Sequence, residues 1–166
     1  MLPTSRTVRE GMVVGLIAYA SVAMFYSAFD LLASRGTLYT VNILGMALFR
    51  GLRDPAVRQL PIALDVTAIF WYNGFHLLAS LAIGLIVTSL VEHAERHPSQ
   101  VHLVLLTIVA GFVLTVLGIG FLTSPMRPVL PWWSIVLANG LATVLAGWYL
   151  VRRRPGLPGR LLSFTG

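Results

Sequence analysis

The sequence predicts an all-α, polytopic membrane protein: a four-transmembrane-helix antiparallel bundle with a short interfacial amphipathic helix between helices 1 and 2. Three observations carry that expectation. First, Gly11 to Phe29, Val66 to Val91, Leu103 to Met126 and Pro128 to Val151 contain no Asp, Glu, Lys or Arg. About 20 apolar residues, rising about 1.5 Å each, cross a hydrocarbon core of ~30 Å, and all four runs meet or approach that length. Second, the chain is 57% hydrophobic and only 11% charged, whereas roughly a quarter of an ordinary soluble domain is charged. Third, aromatic residues gather where spans should meet the headgroups.

Taken in order, the spans are expected at about 11–33, 64–91, 102–124 and 131–151, with an interfacial segment at about 38–53 and a basic cytoplasmic tail at 152–166. At this length they make one integral membrane domain. Arg6 and Arg9 before an apolar run loosely resemble a signal peptide, but the run exceeds the 7–15 residues typical of such a segment, so a retained first helix is expected. Phe25, Tyr26 and Phe29 close span one, Trp71 and Tyr72 lie near the start of span two, and Trp132 and Trp133 open span four. With alternating directions these rings share one membrane face, and Trp148 and Tyr149 mark the other.

Between the first two spans, Val41 to Phe49 is apolar but too short to cross. Val41, Leu44, Leu48 and Leu52 recur at helical spacing, which predicts a short interfacial helix ending near Asp54–Pro55. Such a segment would serve as a lid or a docking surface. An ordinary packed loop is the plain alternative.

All basic residues are Arg. Arg6, Arg9, Arg96, Arg152, Arg153, Arg154 and Arg160 fall on the side of the termini, against Arg35, Arg50, Arg53, Arg58 and Arg127 opposite. The positive-inside bias therefore places both termini in the cytoplasm of a multi-pass protein of the bacterial inner membrane. The net charge of +6 beside spans points to topology and anionic headgroups rather than to nucleic acid. No Cys is present, which excludes disulfides, thiolate metal sites and cysteine nucleophiles.

Small and polar residues should mark helix interfaces, because lipid tails compete with large apolar side chains on equal terms. Span one offers Gly11, Gly15, Ala23 and Ser27; span two offers Asn73, His76, Ser80 and Gly84. Span three offers Thr107, Gly111, Thr115 and Gly118; span four offers Ser134, Ala138, Ala142 and Ala146, with Asn139 and Thr143 beside them. Each stripe is expected to be buried within the bundle.

Three candidate sites follow. His76, near the bilayer midplane with Tyr72 and Asn73 close by, is a candidate proton relay, hydrogen-bonder to a quinone or substrate, or cofactor ligand. A neutral imidazole bonded to Asn139, Thr115 or a carbonyl is the structural alternative. His93, His97 and His102, with Glu92 or Glu95, could ligate zinc or copper, although H-x-E-x-H is not the zinc-protease spacing. The competing reading is a solvated helix end with Glu92 and Arg96 paired at i,i+4. Asp30 and Asp65 could face each other across the bundle mouth, neutralised by Arg35, Arg53 or Arg58, and open a polar path toward Asn73 and His76.

No P-loop, nucleophile-elbow or dinucleotide-binding motif is present, so the sequence supports neither ATP-driven work nor common hydrolase chemistry, and it requires no cofactor. The leading expectation is a non-catalytic accessory subunit of a larger respiratory, photosynthetic or transport complex. Its partners would be the lipid bilayer and other membrane subunits, or further copies of itself. A small homo-oligomeric transporter with a path at Asn73 and His76 comes second, and a cofactor- or metal-binding membrane protein third.

Overall fold

A computed structural model describes residues 4–51 and 63–156, and those residues are helical without any strand. The helices are α1 (Ser5–Leu32), α2 (Tyr39–Phe49), α3 (Val66–Arg96), α4 (Val101–Leu122) and α5 (Trp132–Arg153). Among the described residues, α1, α3, α4 (with the preceding turn) and α5 are long and apolar enough to cross a membrane, and α2 is not. The chain is thus a multi-pass helical membrane protein with its spans where the charge-free runs put them.

The boundaries follow local chemistry. The Thr4 hydroxyl accepts from Thr7 N at 3.2 Å and opens α1, while the Asp65 carboxylate accepts from Ala68 N at 2.9 Å and opens α3. Both satisfy amides that the first helical turn leaves free. α3 ends two residues before Pro98, which starts a single 3₁₀ turn (Pro98–Gln100) into α4. A second such turn, Ser124–Met126, and Pro131 separate α4 from α5.

Helix α1 is the centre of the packing, seated on α3 and α5. Its contact with α3 is backbone on backbone. A Cβ at Gly15 would lie 2.6 Å from Leu81 Cα, and one at Gly84 would lie 2.5 Å from Gly15 N. Gly11 meets Leu85 in the same seam, and Ser80, Gly84 and Thr88 line the buried face of α3. Of the expected stripes, Gly11, Gly15, Ser80 and Gly84 are buried, while Ala23, Ser27, Asn73 and His76 are half-buried. On α5, Ser134, Ala138 and Ala142 are buried too.

Helix α4 departs from expectation. Its main neighbours are the end of α3, through Ala94, Val101 and Val104, and the start of α5, where Trp132 fills the space beside Gly120. Thr107, Gly111 and Gly118 are exposed, and a Cβ at Gly111 or Gly118 would meet nothing within 4 Å. Most of the stripe predicted to lie inside the bundle thus faces out, with Thr115 half-buried, while α1 packs chiefly on α3 and α5.

Helix α2 packs through one face. Its buried residues are Tyr39, Thr40, Asn42, Ile43, Gly45 and Met46, while Leu48 of the predicted apolar stripe is 53% exposed. Gly45 sets this orientation: a Cβ there would lie 2.6 Å from Ala68 O, so only glycine lets α2 lie flush on α3. Tyr39, Ile43 and Met46 cover a core of Ala68, Val116, Met126, Leu130 and Ile135. The expected end of the segment at Leu52 to Pro55 lies outside the described residues.

Candidate functional site

The mid-depth candidate is a cluster on α1 and α3. Tyr19 Oη donates to Asn73 Oδ1 at 2.9 Å, and Asn73 Nδ2 donates to Ile69 O at 2.9 Å. The His76 ring lies against Tyr19, with centroids 5.2 Å apart, and against Tyr72 at 6.0 Å. All four side chains are half-buried. Asn139 and Thr115, expected to meet His76, instead donate to Ile135 O and Gly111 O of their own helices. Among the described residues His76 has ring contacts and no side-chain hydrogen bond. Tyr19 was not singled out by sequence; the available signal was a phenol in mid-span, which requires a polar partner.

Asp30 and Asp65 each hold a different helix junction. Asp30, only 1% exposed, accepts from Thr40 N at 2.7 Å and Thr40 Oγ1 at 2.6 Å, so it fastens the end of α1 to the first turn of α2. Arg35 lies 3.4 Å from Asp30 and donates to Val129 O at 2.9 Å. Its guanidinium sits between the rings of Phe29 and Tyr39, 5.0 and 4.6 Å from their centroids. Asp65 pairs with Arg50 at 2.9 Å rather than with Arg35; Arg53 and Arg58 lie outside the described residues. Asn42 bridges Ala63 O and Asp65 N, tying α2 to the start of α3. These bonds tie α1, α2 and α3 together at the end where the sequence suggested the mouth of a polar path.

The Arg50 guanidinium, then the Ala68 amide, hold the Asp65 carboxyl below the ordinary aspartate value, and Asp65 in turn raises Arg50. A carboxyl with a depressed folded pKa contributes stability above its unfolded pKa of about 3.9, lost as pH falls through the lower folded value. Asp65→Asn keeps a capping side chain but loses the charge. The expected result is a melting temperature, measured in detergent from pH 2 to 6, that declines less steeply below about pH 4 than that of the parent.

The opposite end holds a knot of charges that the sequence did not announce. Glu10 and Arg154 are each 3% exposed. Arg154 Nε and Nη2 reach Glu10 Oε2 at 2.8 and 2.6 Å, and Arg154 Nη1 bonds Glu95. Arg6 Nε reaches Glu10 Oε1 at 2.8 Å, while Arg6 Nη2 donates to Arg153 O at 2.8 Å. Thr7 and Arg96 both bond Glu92, so the expected i,i+4 pair is present. The knot joins the start of α1 to the ends of α3 and α5.

The histidines beside it do not gather as a three-imidazole site. His93 and His97 rings are 4.6 Å apart, and His93 Nε2 lies 2.7 Å from Gln100 Oε1. His102 is exposed, and among the described residues no three His, Asp or Glu side chains are placed to hold one metal ion. One turn of helix separates His93 from His97, and the 3₁₀ turn at Pro98–Gln100 brings Gln100 to His93. Comparison with known families, curated proteins and solved structures found no match to the chain, so its own geometry carries the functional argument.

Proposed function

We propose that the protein is a non-catalytic accessory subunit of a larger membrane complex, inserted as an antiparallel four-span bundle with both termini in the cytoplasm of a bacterial inner membrane. The observation that carries this reading is the outer face of α4. Thr107, Gly111 and Gly118, the residue types membrane helices use for close contact, are exposed among Leu103, Leu106, Leu114 and Leu117. A partner helix packed there would bury a stripe that this chain leaves bare. The surface of α2 agrees: Leu48 and Phe49 are exposed and would rest in the interface as an amphipathic segment.

The test is Gly111→Leu. The site is open, and Leu exceeds Gly in helix propensity by nearly 1 kcal/mol, so the isolated chain is expected to melt at or above the parent temperature. The native mass after gentle detergent extraction is expected to drop from that of a hetero-complex to that of the chain alone. An unchanged complex would remove the reading.

A small homo-oligomeric permeation unit is the second reading, favoured by the Tyr19–Asn73–His76 cluster at mid-depth. On that reading His76→Leu abolishes flux, the parent's native mass is a small multiple of one chain, and copies of this chain rather than foreign helices cover α4. A pigment or metal lost with His76 would instead favour a cofactor-binding role.

A further inference from the structure

At the end where α1 begins and α5 finishes, Arg6, Arg9, Arg96, Arg152, Arg153 and Arg154 accompany Glu10, Glu92 and Glu95. The acids are taken from within: Glu10 by Arg6 and Arg154, Glu92 by Arg96, and Glu95 by Arg154. Arg9, Arg152 and Arg153 remain, exposed and with no carboxylate partner among the described residues. Two of them are held over aromatic rings. Arg152 Cζ stands 3.8 Å from the Trp148 ring centroid and Arg153 Cζ 5.6 Å from that of Tyr149. Each aromatic ring belongs to the preceding helical turn and supports its guanidinium where α5 leaves the hydrocarbon. The bond from Arg6 to the Arg153 carbonyl brings α1 alongside, with Arg9 on the next turn.

Below these cations the surface becomes apolar. Met12 and Leu16 follow Arg9 down α1 at 39% and 48% exposure, and Val144 lies below Trp148 on α5 at 67%. A ligand on this edge must therefore present anionic oxygens at one level and hydrocarbon immediately beneath. Nucleic acid and soluble anions meet only the first requirement. We propose that the α1/α5 edge is a binding surface for anionic phospholipid, with Arg9, Arg152 and Arg153 holding phosphate oxygens and the acyl chains lying along Met12, Leu16 and Val144. The other end lacks this surplus among the described residues: Arg35 and Arg50 face Asp30 and Asp65, leaving Arg127 without a carboxylate.

The experiment adds phosphatidylglycerol or phosphatidylcholine to the full chain in neutral detergent, with native mass spectrometry counting retained lipid and thermal melting reporting its effect. Phosphatidylglycerol is expected to be retained and to raise the melting temperature more than phosphatidylcholine does. In Arg9→Gln/Arg152→Gln/Arg153→Gln, the anionic lipid should bind about 100-fold more weakly, at roughly tenfold per 1.4 kcal/mol and about 1 kcal/mol for each basic residue. Arg127→Gln should retain it. Should the triple variant not fold, the parent protein still decides the matter, because charge-held lipid is released as salt rises from low to molar concentration. Equal retention of both lipids, retention unaffected by the triple substitution, or salt-insensitive retention would each overturn the proposal. Protection by inorganic phosphate equal to that by phosphatidylglycerol would also overturn it, assigning the cations to a soluble anion.

Discussion

Gly84→Leu is expected to prevent α1 from seating on α3, leaving little monodisperse protein after detergent extraction. A side chain at Gly84 has no flexible neighbour to displace: its Cβ would sit 2.5 Å from Gly15 N and 2.8 Å from Gly15 Cα. Over-filling an ordinary core costs typically 1–3 kcal/mol because side chains shift, so a clash that only whole-helix movement can relieve should cost more than about 3 kcal/mol. In lipid no hydrophobic effect draws the helices together again once that close contact is lost. Gly84→Ala should show the same sign with a smaller fall in melting temperature. Gly111→Leu controls for helix propensity, since it adds the same side chain to a span at a position with nothing within 4 Å. Equal melting of Gly84→Leu and the parent would refute a backbone-to-backbone seam.

The contrast between those glycines shows where sequence reasoning stops. Spans were legible because bilayer thickness imposes long charge-free runs, and α1, α3, α4 and α5 occupy those runs. Gly11, Gly15 and Gly84 were legible as contact residues, but Gly111 and Gly118 carry the same pattern and, among the described residues, a Cβ at either would meet nothing within 4 Å. Small residues permit a close helix contact, but the pattern alone does not say which helices make one. Which face of α2 packs on α3 was not legible for a related reason. Both sides of Tyr39–Phe49 are rich in apolar residues, so the decisive residue was Gly45, which amphipathicity does not weigh. Asp30 was recognised as needing a partner, yet its main partner is the first turn of α2 rather than an arginine alone. The Tyr19–Asn73 bond joins residues 54 apart and the Glu10–Arg154 pair residues 144 apart, and no local spacing encodes either.

Arg154→Met is expected to be among the most damaging single substitutions outside the glycine seam, although Arg154 lies at the end of the last helix. The side chains of Arg154 and Glu10 are 2% and 4% exposed, so neither can exchange its partner for water. Removing one member of a buried pair strands the other and costs about 3–5 kcal/mol, whereas replacing both by apolar residues is often neutral. Stranded Glu10 would retain Arg6, whose side chain is 57% exposed and correspondingly weak as a partner. Glu10→Met would leave Arg154 to Glu95 alone, a carboxylate with its own access to water at 31% exposure. Each single variant should therefore melt well below the parent, and Glu10→Met/Arg154→Met should recover much of the loss. In a double-mutant cycle such contacting residues couple by about 0.5–3 kcal/mol, while independent sites add within about 0.5 kcal/mol. Additive losses would mean that the two side chains stabilise the protein separately. Strong coupling would mean that one buried bond fastens the start of α1 to the end of α5. Hydrogen exchange distinguishes loss of that fastening from general unfolding: protection should fall first over Thr7–Gly11 in Arg154→Met and persist around the Gly15–Gly84 crossing.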